Sequence, residues 1–399
     1  MTEINVRDDF GAVGDGSTDD TSAFINAFNA IPETGGRITI PAGEYILTQQ
    51  LDIHNKAITI KGSGFGVTKL VWQAGDNGIV VTQDETDDGD AEKTRIYNLT
   101  LRDLSLIQEQ DLSGGPQESG CALKVVYIAP SNREKLNCIV ENVEIRGRDQ
   151  FAFAHCWNNG VYFHNVINSM IRNASIDSRE RGAMNNGIYF LGDPEVTPVE
   201  CHIADCLIFG SQYGIQFDGH YEGIYITKCN LLHNTKAAIR ATTSPDVVKP
   251  SFQIRGCQVE YFLNGFEISG LSGVMISDNF LFVSPGSASE IDNDTSVGIG
   301  VNGDSYQVFM ANNIVHNAVG STEGKHYRAV VLGDTRRCVI SNNIINEPGN
   351  TEFSTGIWFR PGTEKCAAYD NVVSNSRDAY VDDPSNPSNV IRYDPILSD

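Results

Sequence analysis

The chain has 399 residues, 40% of them hydrophobic, and sets 51 acidic side chains against 29 basic ones for a formal net charge of −22. Such a field repels phosphate backbones and anionic membrane surfaces, so no nucleic acid partner is expected, and no apolar run is long enough to insert in a membrane. The nine cysteines are odd in number and lack framework or metal-ligand spacing, which predicts free buried thiols, no disulfides and no metal centre.

The N-terminus, MTEINVRDDFGAVGDG, has neither a basic nor an apolar leader region, so no secretory signal is expected. Val6 to Val13 reads as a short strand. In DGSTDDTSAFINAFNAIP, Thr18, Asp19 or Asp20 offers an N-cap with more acid in the first turn. Ala23, Phe24, Ala27, Phe28 and Ile31 then share one helical face, and Pro32, Gly35 and Gly36 stop the run. This predicts an amphipathic helix of about three turns, capping the open end of whatever follows. RITIPAGEYIL reads as two strands around a Pro-Ala-Gly turn, and AITIKGSGFG as a strand running into glycines. No helical pattern follows GSGFG, which rejects a dinucleotide site. The acidic stretch from Asp84 to Glu92 lacks calcium-loop spacing and reads as a solvated turn.

From Leu99 to Val373 one pattern returns: LRDLSL, VENVEI, IRNASI, IADCLI, ITKCNL, IRGCQV, ISDNFL, MANNIV, ISNNII and AYDNVV. The fourth letters are Leu104, Val143, Ala174, Cys206, Cys229, Cys257, Asn279, Asn313, Asn343 and Asn371, spaced 22 to 39 residues apart. Short β-rich repeats at this spacing mark a solenoid, and a parallel β-helix rather than helical repeats. Equivalent residues then stack about 4.8 Å apart, so the four asparagines are expected to form an amide ladder and the three cysteines to fill the same interior column.

Between these strands lies a second set: GIYFLGD, GIQFDGH, AIRATTS, GFEISGL, GIGVNGD, AVVLGDT and GIWFRPG. Each alternates inward apolar with outward variable residues. Stacked in register they give outward columns of Tyr189, Gln216, Arg240, Glu267, Gly300, Val331 and Trp358; of Leu191, Asp218, Thr242, Ser269, Asn302, Gly333 and Arg360; and of Asp193, His220, Ser244, Leu271, Asp304 and Thr335. A loop is expected at Ser284 to Ser296. Asp193, Asp218, His220, Glu222, Arg240 and Glu267 are expected to converge as the catalytic cluster. Rung and residue spacing puts Asp193 and Asp218 about 8 Å apart at Cα and Asp218 and Glu267 about 12 Å apart. An inverting glycosidase wants about 6.5 to 9.5 Å between its carboxyls, so Asp193 and Asp218 are the first pair, with Glu222 and Glu267 as alternates. Arg240 suits a sugar carboxylate or a neighbouring base; Tyr189 and Trp358 offer flat surfaces to sugar rings, and Gln216 and Asn302 hydrogen bonds. His155 and His164, in FAFAHCWNNGVYFH, read as core or interface residues.

The strings DDFGAVGDGSTDDTSAFINAF, GGRITIPAGEYIL and ITIKGSGFG resemble the N-terminal signature of the pectate-lyase-like superfamily. The resemblance implies an all-β fold, a single-stranded right-handed parallel β-helix with an N-terminal capping α-helix. It divides the chain into a capping segment (1–70), the coil (71–381) and a C-terminal tail (382–399). It implies a saccharide groove on one sheet, with no cofactor. In style the rungs are most similar to bacteriophage tailspikes and receptor-binding depolymerases. The leading expectation is a homotrimer on the virion tail, made in the host cytoplasm with other tail proteins as further partners, which binds and cleaves a bacterial surface polysaccharide, more as a glycoside hydrolase than as a lyase. The alternatives are a secreted bacterial lyase, hydrolase or transferase of the same fold, and a non-catalytic spike or adhesin.

Overall fold

A sharp corner between two strand segments explains why the short pattern repeats. In the computed structural model, which describes residues 2–84, 98–128, 138–149, 155–178, 182–243, 251–283, 295–317, 326–346, 353–374, 376–382 and 388–392, the residue before every register mark is in the left-handed backbone region. These are Asp103, Asn142, Asn173, Asp205, Lys228, Gly256, Asp278, Asn312, Asn342 and Asp370, with φ between 50° and 68°. Asn, Asp and Gly enter this region at least cost, which is why eight of the ten are Asn or Asp. Lys228 is the one side chain there that pays the ordinary steric penalty.

Just past the corner the chain turns its register residue inward. Asn279 Nδ2 donates to Asn313 Oδ1, Asn313 to Asn343 and Asn343 to Asn371, each at 2.9 Å. Each lower Oδ1 also accepts the backbone N–H of the residue above, at 3.2, 2.9 and 3.0 Å. The second amide hydrogen goes to a strand carbonyl, as from Asn313 to Ile276 at 2.9 Å. The ladder thus satisfies donors and acceptors that a corner would otherwise bury unpaired. In the same interior column Cys206, Cys229 and Cys257 are buried, and all nine cysteines are free and buried.

The chain forms two compact units, Met1–Ser211 and Gln212–Asp399. In the first, strands Leu51–His54, Ile79–Asp84, Cys121–Ile128, Asn159–His164 and Met184–Gly192 pair in parallel, in that order. In the second, parallel pairing joins Ser211–Gly219, Ala237–Thr242, Asn264–Ser269, Thr295–Asn302, His326–Leu332, Phe353–Phe359 and Ser376–Val381. The corner strands pair with their equivalents in further parallel layers, as Phe280–Val283 does with Ile314–Asn317. The core is built of stacked columns. Ile239, Phe266, Ile299, Val330 and Ile357 lie in register and are buried, as are Ala241, Ile268, Val301, Leu332 and Phe359. Each buried aliphatic or Phe side chain contributes roughly 1.5 to 3 kcal/mol, so parallel pairing in this register is held by burial as well as by the backbone ladder.

The helix spans Thr21–Ala30 and buries Thr21, Phe24, Ala27 and Phe28. Phe24 packs edge-on to Tyr45 at 5.3 Å, and the helix lies against Leu51–His54, the first strand of its sheet. Two details differ from expectation. Asp20 is the N-cap, but its carboxylate accepts the N–H groups of Val13 (2.6 Å) and Gly14 (3.0 Å) instead of a helix donor, and the first turn holds no acid. The first strand is Thr2–Asn5 rather than Val6 to Val13, because Asn5 Oδ1 and the carboxylates of Asp8 and Asp9 hydrogen-bond locally and turn the chain there. Nearly all of the Asp84 to Glu92 stretch, most of the Ser284 to Ser296 loop and most of the tail lie outside the described residues.

Asn313→Ala removes an amide that serves the rungs on both sides and leaves buried donors on Asn279 without an acceptor. Unfolding by denaturant should show a loss of about 2 to 4 kcal/mol.

Candidate active site

Strand register, fixed by the columns just described, decides which outward side chains meet. Within the C-terminal unit Gln216, Arg240, Glu267, Gly300, Val331 and Trp358 are direct partners rung to rung, as are Asp218, Thr242, Ser269 and Asn302. Arg240 lies between two carboxylates: its Nη1 is 3.6 Å from Asp218 and its Nε 3.8 Å from Glu267. Its guanidinium also sits over the Tyr213 ring at 5.5 Å, with the Lys236 ammonium at 5.4 Å from the same ring. Three of the expected residues therefore converge. Gln216 is with them but only 2% exposed, and its amide is engaged with Asp218, so it orients that carboxylate and is closed to a ligand.

The others fall differently. Glu222 is exposed and opens strand Glu222–Thr227, which pairs with Phe252–Arg255 in another layer. His220 is half-buried in the turn between, after Gly219 with φ 94°. The chain bends after Asp218, so the spacing that carried these two onto the face of the cluster fails. Tyr189, expected as a platform, is 3% exposed and packs edge-on against Tyr162 at 5.3 Å. Asn302 is half-buried. Trp358 is half-buried, but its ring is not bare: the Arg328 guanidinium lies over it at 4.4 Å.

Asp193 belongs to the N-terminal unit, where it has partners that spacing did not suggest. His164 Nε2 is 3.0 Å from its Oδ2, and Asn165 Nδ2 donates to the same oxygen at 2.9 Å. The Asp193 N–H donates to Asn165 Oδ1 at 2.8 Å. Asn165 is buried and left-handed (φ 58°), so it closes its strand with an amide aimed at the next rung. Partial burial pushes the Asp193 carboxyl up, but the hydrogen bonds from Asn165 and His164 and the histidine charge outweigh this and hold it below the usual range. An ionised carboxylate only accepts, so Nε2 carries a proton, and in the neutral tautomer this leaves the lone pair on Nδ1. Nδ1 has no hydrogen-bond partner among the described residues.

Around this pair Lys124, Tyr162 and Tyr189 stand in one column, and Val126, His164 and Leu191 in the next. Lys124 and His164 are thus about 8 Å apart at Cα from rung and residue spacing. The Lys124 ammonium lies over the Tyr162 ring at 5.3 Å, donates to the Glu118 carbonyl at 2.9 Å and is 20% exposed. Burial first, and the Glu118 charge second, push the Tyr162 phenol up, so it stays protonated. The sequence pattern reads His164 as a core or interface residue and singles out neither Lys124 nor Asn165. For His164 the signal was the likeness of GVYFHN to GIYFLGD, which aligns it with the outward Leu191. Among the described residues no group of three or more His, Cys, Asp or Glu is placed to hold a metal ion.

Residues 3–262 match the family model described as rhamnogalacturonase A/epimerase, pectate lyase-like. The chain belongs to this family. Residues 213–391 match a second model, the right-handed beta helix region. Alginate lyase 7 of Azotobacter vinelandii is 35% identical over 162 residues, which are 38% of this chain and 18% of that protein. Mannuronan C5-epimerase AlgE5 of the same organism is 32% identical over 162 residues, 38% of this chain and 15% of its own. The match thus covers less than a fifth of the length of these curated relatives. Among solved structures, the AlgE4 A-module of A. vinelandii superposes with a TM-score of 0.67 at 18% identity, covering 98% of this chain and 100% of that one. DFA-IIIase from Arthrobacter chlorophenolicus A6 gives 0.68 at 12%, with 99% of both chains covered. These relatives are carbohydrate-modifying enzymes of lyase, epimerase and DFA-IIIase type, and the structural matches establish the right-handed parallel β-helix fold.

A carboxyl held low in the folded state adds stability above its unfolded pKa, and loses it as pH falls through the folded value. Asp193→Asn should therefore flatten the acid limb of the stability profile below about pH 4, read by thermal unfolding across pH, and leave the profile near neutrality parallel to wild type.

Proposed function

We propose that this protein is a polysaccharide-modifying enzyme that acts on a uronate-containing chain by removing the proton beside the sugar carboxylate. The observation that carries this reading is the His164–Asp193 pair: a part-exposed imidazole oriented through Nε2, with Nδ1 left as a base, one rung from the Lys124 cation. A base and a cation are the two groups such a proton transfer needs, because the cation offsets the charge that the substrate carboxylate would otherwise add to a carbanion. Asp193 holds the ring and stabilises the imidazolium once the proton has arrived. Elimination of the neighbouring glycosidic oxygen then gives a lyase, and return of a proton from the other face gives an epimerase. The lyase and epimerase names among the relatives support the shared first step.

The experiment is incubation with polymannuronate and polygalacturonate in deuterated water. Deuterium entering the position beside the carboxylate reports proton removal, and ultraviolet absorbance of an unsaturated uronate adds elimination. His164→Ala should lower turnover by about a hundredfold to ten-thousandfold while the polysaccharide is still bound. Unchanged turnover in this variant would sink the reading. A second reading, hydrolysis, is favoured by Asp218 and Glu267 on either side of Arg240. It requires new reducing ends without unsaturation or exchange, lost in Asp218→Asn.

The finer form of the proposal places the enzyme as a homotrimer on a bacteriophage tail, acting on a bacterial surface polysaccharide. It rests on the likeness in style between these rungs and those of tailspikes. Light scattering should then give three times the 43.6 kDa chain mass; a single-chain mass removes the trimer.

A further inference from the structure

The C-terminal unit carries a second cationic feature, distinct in its chemistry from the Asp218–Arg240–Glu267 group. Arg328 and Arg360 both lie on the Trp358 ring, their guanidinium carbons 4.4 and 5.5 Å from its centroid. Two like charges on one indole repel each other, and neither has a carboxylate within ion-pair distance among the described residues. Elsewhere Arg102, Arg148, Arg172 and Arg255 are set against carboxylates. In a chain with 51 acidic residues, two neighbouring arginines without an acidic partner form a local positive patch that favours an outside anion.

Stacking on an aromatic face restrains a guanidinium and leaves its in-plane N–H donors free for a fork-shaped acceptor. The indole is thus a rack for the two arginines, and the ring-stacking role expected for Trp358 passes to them. Arg360 is itself exposed. Gly333 lets the Asn302 and Arg360 side chains lie close over the backbone, since a Cβ there would sit 2.8 Å from Asn302 Oδ1 and 3.6 Å from Arg360 Cδ. Trp358 is three rungs from Glu267 in one column, through Gly300 and Val331. That is about 14 Å of sheet face, with only glycine and valine standing in the column between.

We propose that Arg328 and Arg360, racked on Trp358, form a subsite for the carboxylate of an acidic sugar, gripping an anionic polysaccharide three rungs along the face from Glu267. The inference rests on the uronate reading above and deepens it by assigning a point of attachment for an acidic sugar within the C-terminal unit.

Tryptophan fluorescence tests it directly. Of the three tryptophans, Trp72 and Trp157 are fully buried, so a response to added saccharide reports Trp358. Oligomers of galacturonate and of mannuronate should change the emission saturably, and neutral dextran should not. Arg360→Gln and Arg328→Lys should each weaken half-saturation about tenfold or more, the worth of a charge-assisted bond; the second variant keeps the charge and loses the fork. Trp358→Phe should abolish the signal. Equal half-saturation in the wild type and both arginine variants would overturn the subsite, as would a response to dextran sulfate that matches the uronates at every salt concentration. His164→Ala separates the two proposals. A response without turnover in the wild type leaves the subsite standing and removes the catalytic reading, and His164-dependent turnover without a response does the reverse.

Discussion

The constraint on which everything else depends is the closing of each rung by one left-handed residue followed by one inward side chain. The left-handed residue bends the chain within a single peptide unit, and the inward side chain meets its equivalent on the next rung. Asn279, Asn313, Asn343 and Asn371 make that meeting a hydrogen bond in which each amide both gives and receives. A slip of one residue at any corner would break the ladder and turn the core columns outward. Register along each unit is therefore fixed by corners as much as by strands, and register is what gives outward side chains their neighbours.

This division of labour separates stability from chemistry. Ile239, Phe266, Ile299, Val330 and Ile357 stack inward without regard to what the alternate positions carry. The outward columns are free to hold Arg240 between Asp218 and Glu267 on one stretch and arginines on an indole on another. In the N-terminal unit the same geometry puts Asn165, itself a left-handed strand terminator, against Asp193 one rung on, and the carboxylate holds His164 by Nε2. One conformational device thus serves both purposes: at the rung corners it builds the coil, and at Asn165 it positions the carboxylate that orients an imidazole.

Much of this was legible in the one-dimensional pattern. The ten-fold repeat gave the parallel coil, the amide ladder and the cysteine column, and the alternation of the second strand set gave the register in which Gln216, Arg240 and Glu267 are direct partners. The helix and its buried face followed from spacing at 3.6 residues per turn. What misled was treating the strand as continuing past its end. His220 and Glu222 lie beyond a glycine turn, and Thr2–Asn5 replaces the expected first strand because short polar side chains capture the backbone after it.

The sequence alone determined the fold, because burial and corner chemistry recur at fixed positions and need no knowledge of partners. Only tertiary structure decided which outward groups are chemically available. Tyr189 and Gln216 alternate as exposed residues do, yet neighbouring rungs bury them to 3% and 2% exposure. His164 sits among aromatic residues that read as core, yet Asp193, 29 positions away, orients its ring through Nε2. Exposure and hydrogen-bond direction depend on what packs from adjacent rungs, and that is a property of the stacked coil rather than of any single strand.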